Sequence, residues 1–373
     1  MAGNFPFVEV KQKARKLDLQ AIVKEIEMGL ATASSGEMVD NEYIRAYSLD
    51  QTVIQTNSGE PWNLAAPEVS TLKKRILSVS NCDRLDSVFE MTQGVTPGGG
   101  CLDIFLLDSA ESVEAALMSP AVEAEDIADW RIGLPRKWLL YPYAADGRLI
   151  NLGKLDYDLE QADAQKRIDA LIATGSIKYP RASRYLVRSY DRLVAREAEK
   201  KTWDDYGKEW YEYHRPRDPA VMKSSPKILT RRMTHDMEFA LDDRGSVPTD
   251  GCIALTFKKN NRWLKQALEQ GLTNNEAFLF CVAVLNSSLM KLVLKSSSDA
   301  WQGNFLQVRE DSIGLFPIKI LANGVMKNVR HIVSLTNGAL ADSEKRKDVD
   351  KAVIQLYGLK SDSDSIVSHS VNS

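Results

Sequence analysis

Arginines and aromatic rings, rather than nucleophiles or metal ligands, are the residues of this chain whose spacing could do chemistry. Ile177 to Arg232 holds 15 Lys/Arg against eight Asp/Glu, in a protein of 373 residues with a net charge of −3. Cys101 to Trp130, by contrast, holds eight acids and no base. Such an asymmetry is the electrostatic footprint of a polyanion-binding face. Within the basic segment, Pro180 opens a helical pattern with Leu186, Tyr190, Leu193 and Glu197 on one stripe and Arg184, Arg188, Arg192 and Arg196 on another. Like charges four residues apart repel by a few tenths of a kcal/mol. The stripe therefore suits phosphate contact, as at Arg184 and Arg188, or a solvated face on which Asp191 and Glu199 each neutralise one arginine. Next come Trp203, Tyr206, Trp210, Tyr211 and Tyr213, interleaved with Lys208, Arg215 and Arg217. Rings stack on bases while guanidinium forks grip phosphate or guanine, though the same rings equally suit the edge of a core. Arg215, Arg217, Lys227, Arg231 and Arg232 flank turn chemistry at Pro216, Pro219 and Pro226, and tandem arginines are hard to bury. These five are expected to face DNA.

Catalytic signatures are missing. The glycine cluster Thr96-Pro97-Gly98-Gly99-Gly100 has no following GKS/T, and Asp103 stands where the third glycine of G-x-G-x-x-G belongs. It reads as a flexible surface loop rather than a phosphate cradle. No G-x-S-x-G elbow occurs, and Leu140-Tyr141-Pro142-Tyr143 lacks the polar residue with which amino-group methyltransferases accept hydrogen bonds from the target amine. Cys82, Cys101, Cys252 and Cys281 have no zinc-site spacing, and His214, His235, His331 and His369 are scattered. In Trp301-Gln302-Gly303, the Gln302 amide could pair with adenine if its loop enters the major groove, or Trp301 could pack the loop onto the core.

The elements that must position these residues read as α+β. With 44% hydrophobic and 27% charged residues the composition is that of a globular protein. Residues 1–85 show amphipathic helical stretches at Leu17 to Leu30 and Val69 to Leu77, separated by Ala33-Ser34-Ser35-Gly36 and a Gly59-Glu60-Pro61 break. Residues 86–320 alternate short strands and helices without a regular βαβ repeat. Strands are expected at Lys137 to Tyr143, Arg148 to Leu152, Lys227 to Met233, Glu238 to Leu241 and Ile253 to Phe257. Thr273 to Glu276 is a capping box opening an apolar helix, whose run Ala277 to Leu285 is too short to span a membrane. In residues 321–360 the stripe Val349, Val353, Leu356 stops at Gly358, and residues 361–373 read as a disordered tail. Met1 to Val10 lacks the layout of a signal peptide, so a cytoplasmic protein with reduced thiols and no membrane partner is expected.

Several short motifs, in fixed order, resemble a known family. They are Gly94-Val95-Thr96-Pro97-Gly98 with Ile104-Phe105, Glu125-Asp126-Ile127, Trp138 to Tyr143, Tyr179-Pro180 with Tyr185-Leu186, Trp210 to Arg217, and Pro226-Lys227-Ile228. Leu279 to Leu289, Ala300 to Phe305, Leu315 to Ile318, and Asp350 to Leu359 follow. Together they resemble the TaqI-like C-terminal specificity domain, the target recognition half of type IIG restriction-modification enzymes and related adenine methyltransferases, over roughly Asp86 to Leu359. The resemblance implies double-stranded DNA as ligand and adds Thr96 to the expected DNA-facing residues. Family members carry this region behind a methyltransferase domain, whereas about 85 residues precede it here with neither a cofactor loop nor an Asn-Pro-Pro-aromatic motif. It further implies a partner methyltransferase subunit holding S-adenosylmethionine, with a nuclease where cleavage accompanies methylation, and no cofactor, metal or catalytic residue in this chain. An intact enzyme with an unrecognised site, and an interaction protein that binds a methyltransferase without reading DNA, are the competing readings.

Overall fold

Alternation along one strand decides the architecture. Lys227–Arg231 is the second strand of a four-stranded antiparallel sheet, in the order Phe239–Asp242, Lys227–Arg231, Cys252–Phe257, Phe89–Gln93. Successive side chains of a strand point to opposite faces. Ile228, Phe239, Ile253 and Leu255 accordingly enter one hydrophobic core, and Leu229, Ala240, Cys252 and Ala254 enter another. The sheet is a wall shared by two cores. This computed structural model describes residues 4–50, 66–128, 130–296 and 306–371.

Helices fill the first core. Asn274–Leu285 is buried at every position from Ala277 to Leu285, which is why its sequence shows an apolar run and no polar face. Its capping box forms as expected, with Glu276 N donating to the Thr273 hydroxyl at 3.2 Å and Thr273 N to the Glu276 carboxylate at 2.8 Å. Ser288–Lys295, Met326–Ala341, Arg346–Leu356 and Pro67–Leu77 contribute to the same core. No single helix among the described residues is long and apolar enough to cross a membrane.

The second core lies under a sheet ordered Val247–Pro248, Met118–Val122, Trp138–Leu140, Leu106–Leu107, in which the first pair runs parallel. The helices Gln161–Ala173, Pro180–Val187 and Tyr190–Val194 contribute to it. The mixed α+β class is as expected.

Several elements differ from their sequence reading. The N-terminal stretch, expected to be helical, adds a three-stranded sheet, Asn4–Val10, Ile44–Asp50 and Val39–Asp40, against the helix Leu19–Ser34. Gly29 lets that helix sit close, since a Cβ there would lie 2.6 Å from the Ile44 side chain. The expected Arg148 to Leu152 strand reduces to one bridge between Tyr143 and Leu149. The tail forms a helix, Ser363–Val371, anchored by buried Ile366 and by an Arg75 to Asp362 ion pair at 2.6 Å. Val349, Val353 and Leu356 are buried in the first core, so they offer no free face. Residues 321–360 are helical and contribute Met326, Val329, Val349 and Val353 to the first core. The Gly59-Glu60-Pro61 break lies outside the described residues.

Candidate nucleic-acid interface

The glycine cluster is a packed joint. A Cβ at Gly94 would lie 2.0 Å from the Thr249 carbonyl oxygen. Gly98 has φ +87° and its Cβ would meet the Trp203 ring at 2.3 Å, while Gly99 has φ +58° and would strike Arg196 at 2.5 Å. Only glycine combines that backbone with that proximity. The flexible loop expected here is therefore corrected: Arg196 and Trp203 fix its shape. Thr96, half-buried, exchanges two backbone hydrogen bonds with Arg215, each 3.0 Å.

Arg196 departs furthest from the predicted arginine stripe. It is 1% exposed, and its guanidinium donates to the carbonyls of Leu193 at 2.8 Å, Pro97 at 2.9 Å and Trp210 at 2.6 Å, with its charge 4.2 Å from the Trp203 ring centre. Burial pulls its pKa down to about 10, so it stays protonated at neutral pH. The stripe itself is split, because the helix ends at Val187 and restarts at Tyr190. Two of its other members meet acids that sequence spacing could not place. Arg184 pairs with Asp169 at 2.9 Å, and Arg192 with Asp103 through two bonds of 2.9 and 3.0 Å. The Arg192 hydrogen bond holds the Asp103 carboxyl below its ordinary range. Arg188 is exposed and makes no ion pair among the described residues.

The aromatic run is buried at four of its five rings, and Tyr206 is half-buried. Trp203, Trp210, Tyr211 and Tyr213 are buried, so their rings are closed to bases. Their polar atoms instead fasten the chain. Tyr213 donates to the Leu140 carbonyl at 2.5 Å, its own N–H donates to the Tyr143 hydroxyl at 2.8 Å, and Trp210 donates to the Gly153 carbonyl at 2.8 Å. Tyr141, in the same cluster, donates to the Pro216 carbonyl at 2.7 Å and lies 3.2 Å from that of Arg217. Sequence reasoning missed Tyr141 because that bond joins residues 75 apart, which no local pattern signals.

Five cations were expected to face DNA, and the structure divides them. Lys227 is 0% exposed, its amine held by Asp242 at 2.6 Å and by the Ser224 carbonyl at 2.9 Å. Burial draws its pKa down and Asp242 draws it back up. It cannot touch a duplex, a correction that follows from its position opposite Asp242 in the central sheet. Arg231 donates to the Ile127 carbonyl from Nε at 2.9 Å and sits 3.9 Å from Glu238. It is half-buried and committed to the protein. Arg215 is exposed and pairs with Glu199 at 3.0 Å. Arg217 and Arg232 are half-buried, and among the described residues neither side chain has an ion pair. The Arg217 Nε is buried without a partner. Burial, then Arg215 and Arg232, lower the Arg217 pKa, while Glu310 acts the other way. Gln302, like Trp301, lies outside the described residues. Among the described residues, no group of His, Cys, Asp or Glu is placed to hold a metal ion.

No family model matches the sequence, and neither does any curated protein. Solved structures show a loose likeness. The type IIG restriction endonuclease BpuSI is 10% identical with a TM-score of 0.42, covering 96% of this chain and 40% of that one. The type IIL restriction-modification enzyme MmeI, solved in complex with DNA, is 12% identical with a TM-score of 0.45, covering 96% of this chain and 47% of that one. The chain thus spans less than half the length of either, and superpositions this loose place no individual side chain.

Proposed function

We propose that the chain is the DNA-sequence-recognition half of an adenine-specific methyltransferase or restriction-modification system, directing a catalytic subunit that holds S-adenosylmethionine. One observation carries this reading: motifs far apart in the sequence converge on the segment that presents Arg215 and Arg217, the second of which has no ion pair among the described residues. Gly94 to Gly98, Tyr141 to Tyr143 and Trp210 to Arg217 are joined by the Thr96–Arg215 bridge, the Tyr141 and Tyr213 hydroxyls, and Arg196. Unpaired guanidinium groups suit phosphate and guanine, and a built scaffold beneath them suits a reader that must hold register on a duplex.

The test is genetic and chemical. Cells receive the gene for this chain, an adenine methyltransferase gene from its genomic neighbourhood, or both, and modified bases are mapped by sequencing. Adenine methylation at one defined motif is expected only with both genes. The same methylation without this chain would remove it from the recognition role.

A further inference from the structure

Arg217 has a backbone that asks for an explanation. Its φ is +61°, a left-handed conformation that costs any residue with a Cβ. Glu199 and Lys200 share the feature for a local reason, being the central pair of the tight hairpin between Glu197–Ala198 and Lys201–Thr202. Arg217 lies in no hairpin. What holds it is the Tyr141 hydroxyl, bonded to the carbonyl before it and near its own. Strained non-glycine residues fixed by a dedicated contact cluster at ligand clamps.

The neighbourhood is cationic and built. Arg215 is fixed to Thr96, and Arg232 donates its backbone N–H to Gly251 at 2.9 Å and accepts at its carbonyl from Val308 at 2.9 Å. Cys252, next to Gly251, accepts from Gly94. Gly94 and Thr96 are two residues apart, about 7 Å of extended chain, so the anchors of Arg215 and Arg232 are neighbours. Glu310, the acid that acts on Arg217, makes no ion pair with it. Arg217 and Arg232, like charges that act on each other and that no ion pair among the described residues neutralises, are an arrangement that an anion relieves.

We propose that Arg217 and Arg232 together grip one backbone phosphate of double-stranded DNA, and that the Tyr141 hydroxyl is the positioning group that holds Arg217 for it. This rests on the reading of the chain as a DNA-recognition protein and adds which side chains set its register.

The experiment titrates a fluorescent mixed-sequence duplex with the full chain from about 50 to about 200 mM salt. Arg217→Ala and Arg232→Ala are each expected to weaken binding roughly tenfold. Because both grip one phosphate, the double variant should lower the slope of log affinity against log salt by about 0.9. Tyr141→Phe should weaken binding and add nothing when combined with Arg217→Ala. Tyr143→Phe, which loses an equally buried hydroxyl that serves Tyr213 instead, should keep its DNA affinity even if its melting temperature falls. If the unaltered chain binds no duplex, or prefers duplex RNA, the DNA-recognition reading falls and takes the clamp with it. If it binds DNA and both arginine variants match it, the clamp alone is overturned. A double variant that loses about twice the expected slope would show two separate phosphates, and equal losses in Tyr141→Phe and Tyr143→Phe would end the positioning role.

Discussion

A buried cation must find an acceptor for each N–H or carry a heavy desolvation cost, and this chain resolves that demand differently at neighbouring sites. Arg196 uses three carbonyls and a Trp face, tying three loops without any carboxylate. Lys227 uses Asp242, which also accepts from the N–H groups of Arg244 and Ser246. Lys227→Ala would strand that carboxylate in the interior and is expected to cost about 3–5 kcal/mol in urea denaturation. Replacing the pair together, Lys227→Met with Asp242→Leu, should bring stability back towards the starting value, since apolar isosteres of a buried pair are often neutral. A Lys227→Ala protein as stable as the parent, but with a reduced salt dependence of DNA binding, would place the amine at the surface. Arg217 stands apart from these two, because its Nε has no acceptor and its backbone is strained. Stability alone gives no reason for either.

Helical periodicity identifies a face but not what covers it, and this limits what could be read at the level of elements. The central strands were legible because aliphatic runs at Lys227–Arg231 and Cys252–Phe257 bracket the Asp242 to Gly245 turn, and the Asn274–Leu285 helix because its cap and its apolar run adjoin. The arginine stripe was not, since its periodicity continues through a break at Arg188 and Ser189 and its acids come from Asp103 and Asp169, distant in sequence. Nor was Ser363–Val371, whose Ser/Asp composition hides a helix held by one buried isoleucine. Two apolar stripes looked alike in sequence and differ in burial. Val349, Val353 and Leu356 lie in the first core, while Leu19 is 76% exposed, with Val23 and Leu30 also exposed. Leu356→Ala is therefore expected to cost about 2–5 kcal/mol. Leu19→Ser should stay within about 0.5 kcal/mol of the parent. Denaturation midpoints that reversed this order would mean that the N-terminal helix is covered and the C-terminal one is not.

Because one sheet lines two cores, neither core is expected to survive the loss of the other. The Asn286 side chain accepts from Phe239 N at 2.9 Å and donates to Phe239 O at 2.7 Å, clasping the helical core to the edge strand. Tyr357, which ends the Arg346–Leu356 helix, donates to the Pro317 carbonyl at 2.6 Å and Trp263 to that of Lys319 at 2.9 Å, so the helical core holds the final strand, Pro317–Lys319, as well. A boundary near residue 320, natural from the sequence, would cut through this core. Removing Met326–Ala341 and Arg346–Leu356 would bare the Asn274–Leu285 helix and the sheet face formed by Ile228, Phe239, Ile253 and Leu255. At about 25 cal/mol per Å² of apolar surface, uncovering several helix faces outweighs the 5–15 kcal/mol by which a domain of ordinary stability is folded. A chain ending at residue 320 should thus bind a hydrophobic dye and show no cooperative urea transition. In the full chain, Trp210 is a buried ring in the second core and Trp263 a buried ring in the helical core, so fluorescence from variants that keep only one of the seven tryptophans reports each side. Coincident transitions are expected from both. Separate midpoints, or a truncated chain that still unfolds cooperatively, would show that the sheet does not couple the cores, and the arginines beyond its Lys227–Arg231 strand would then rest on one lobe alone.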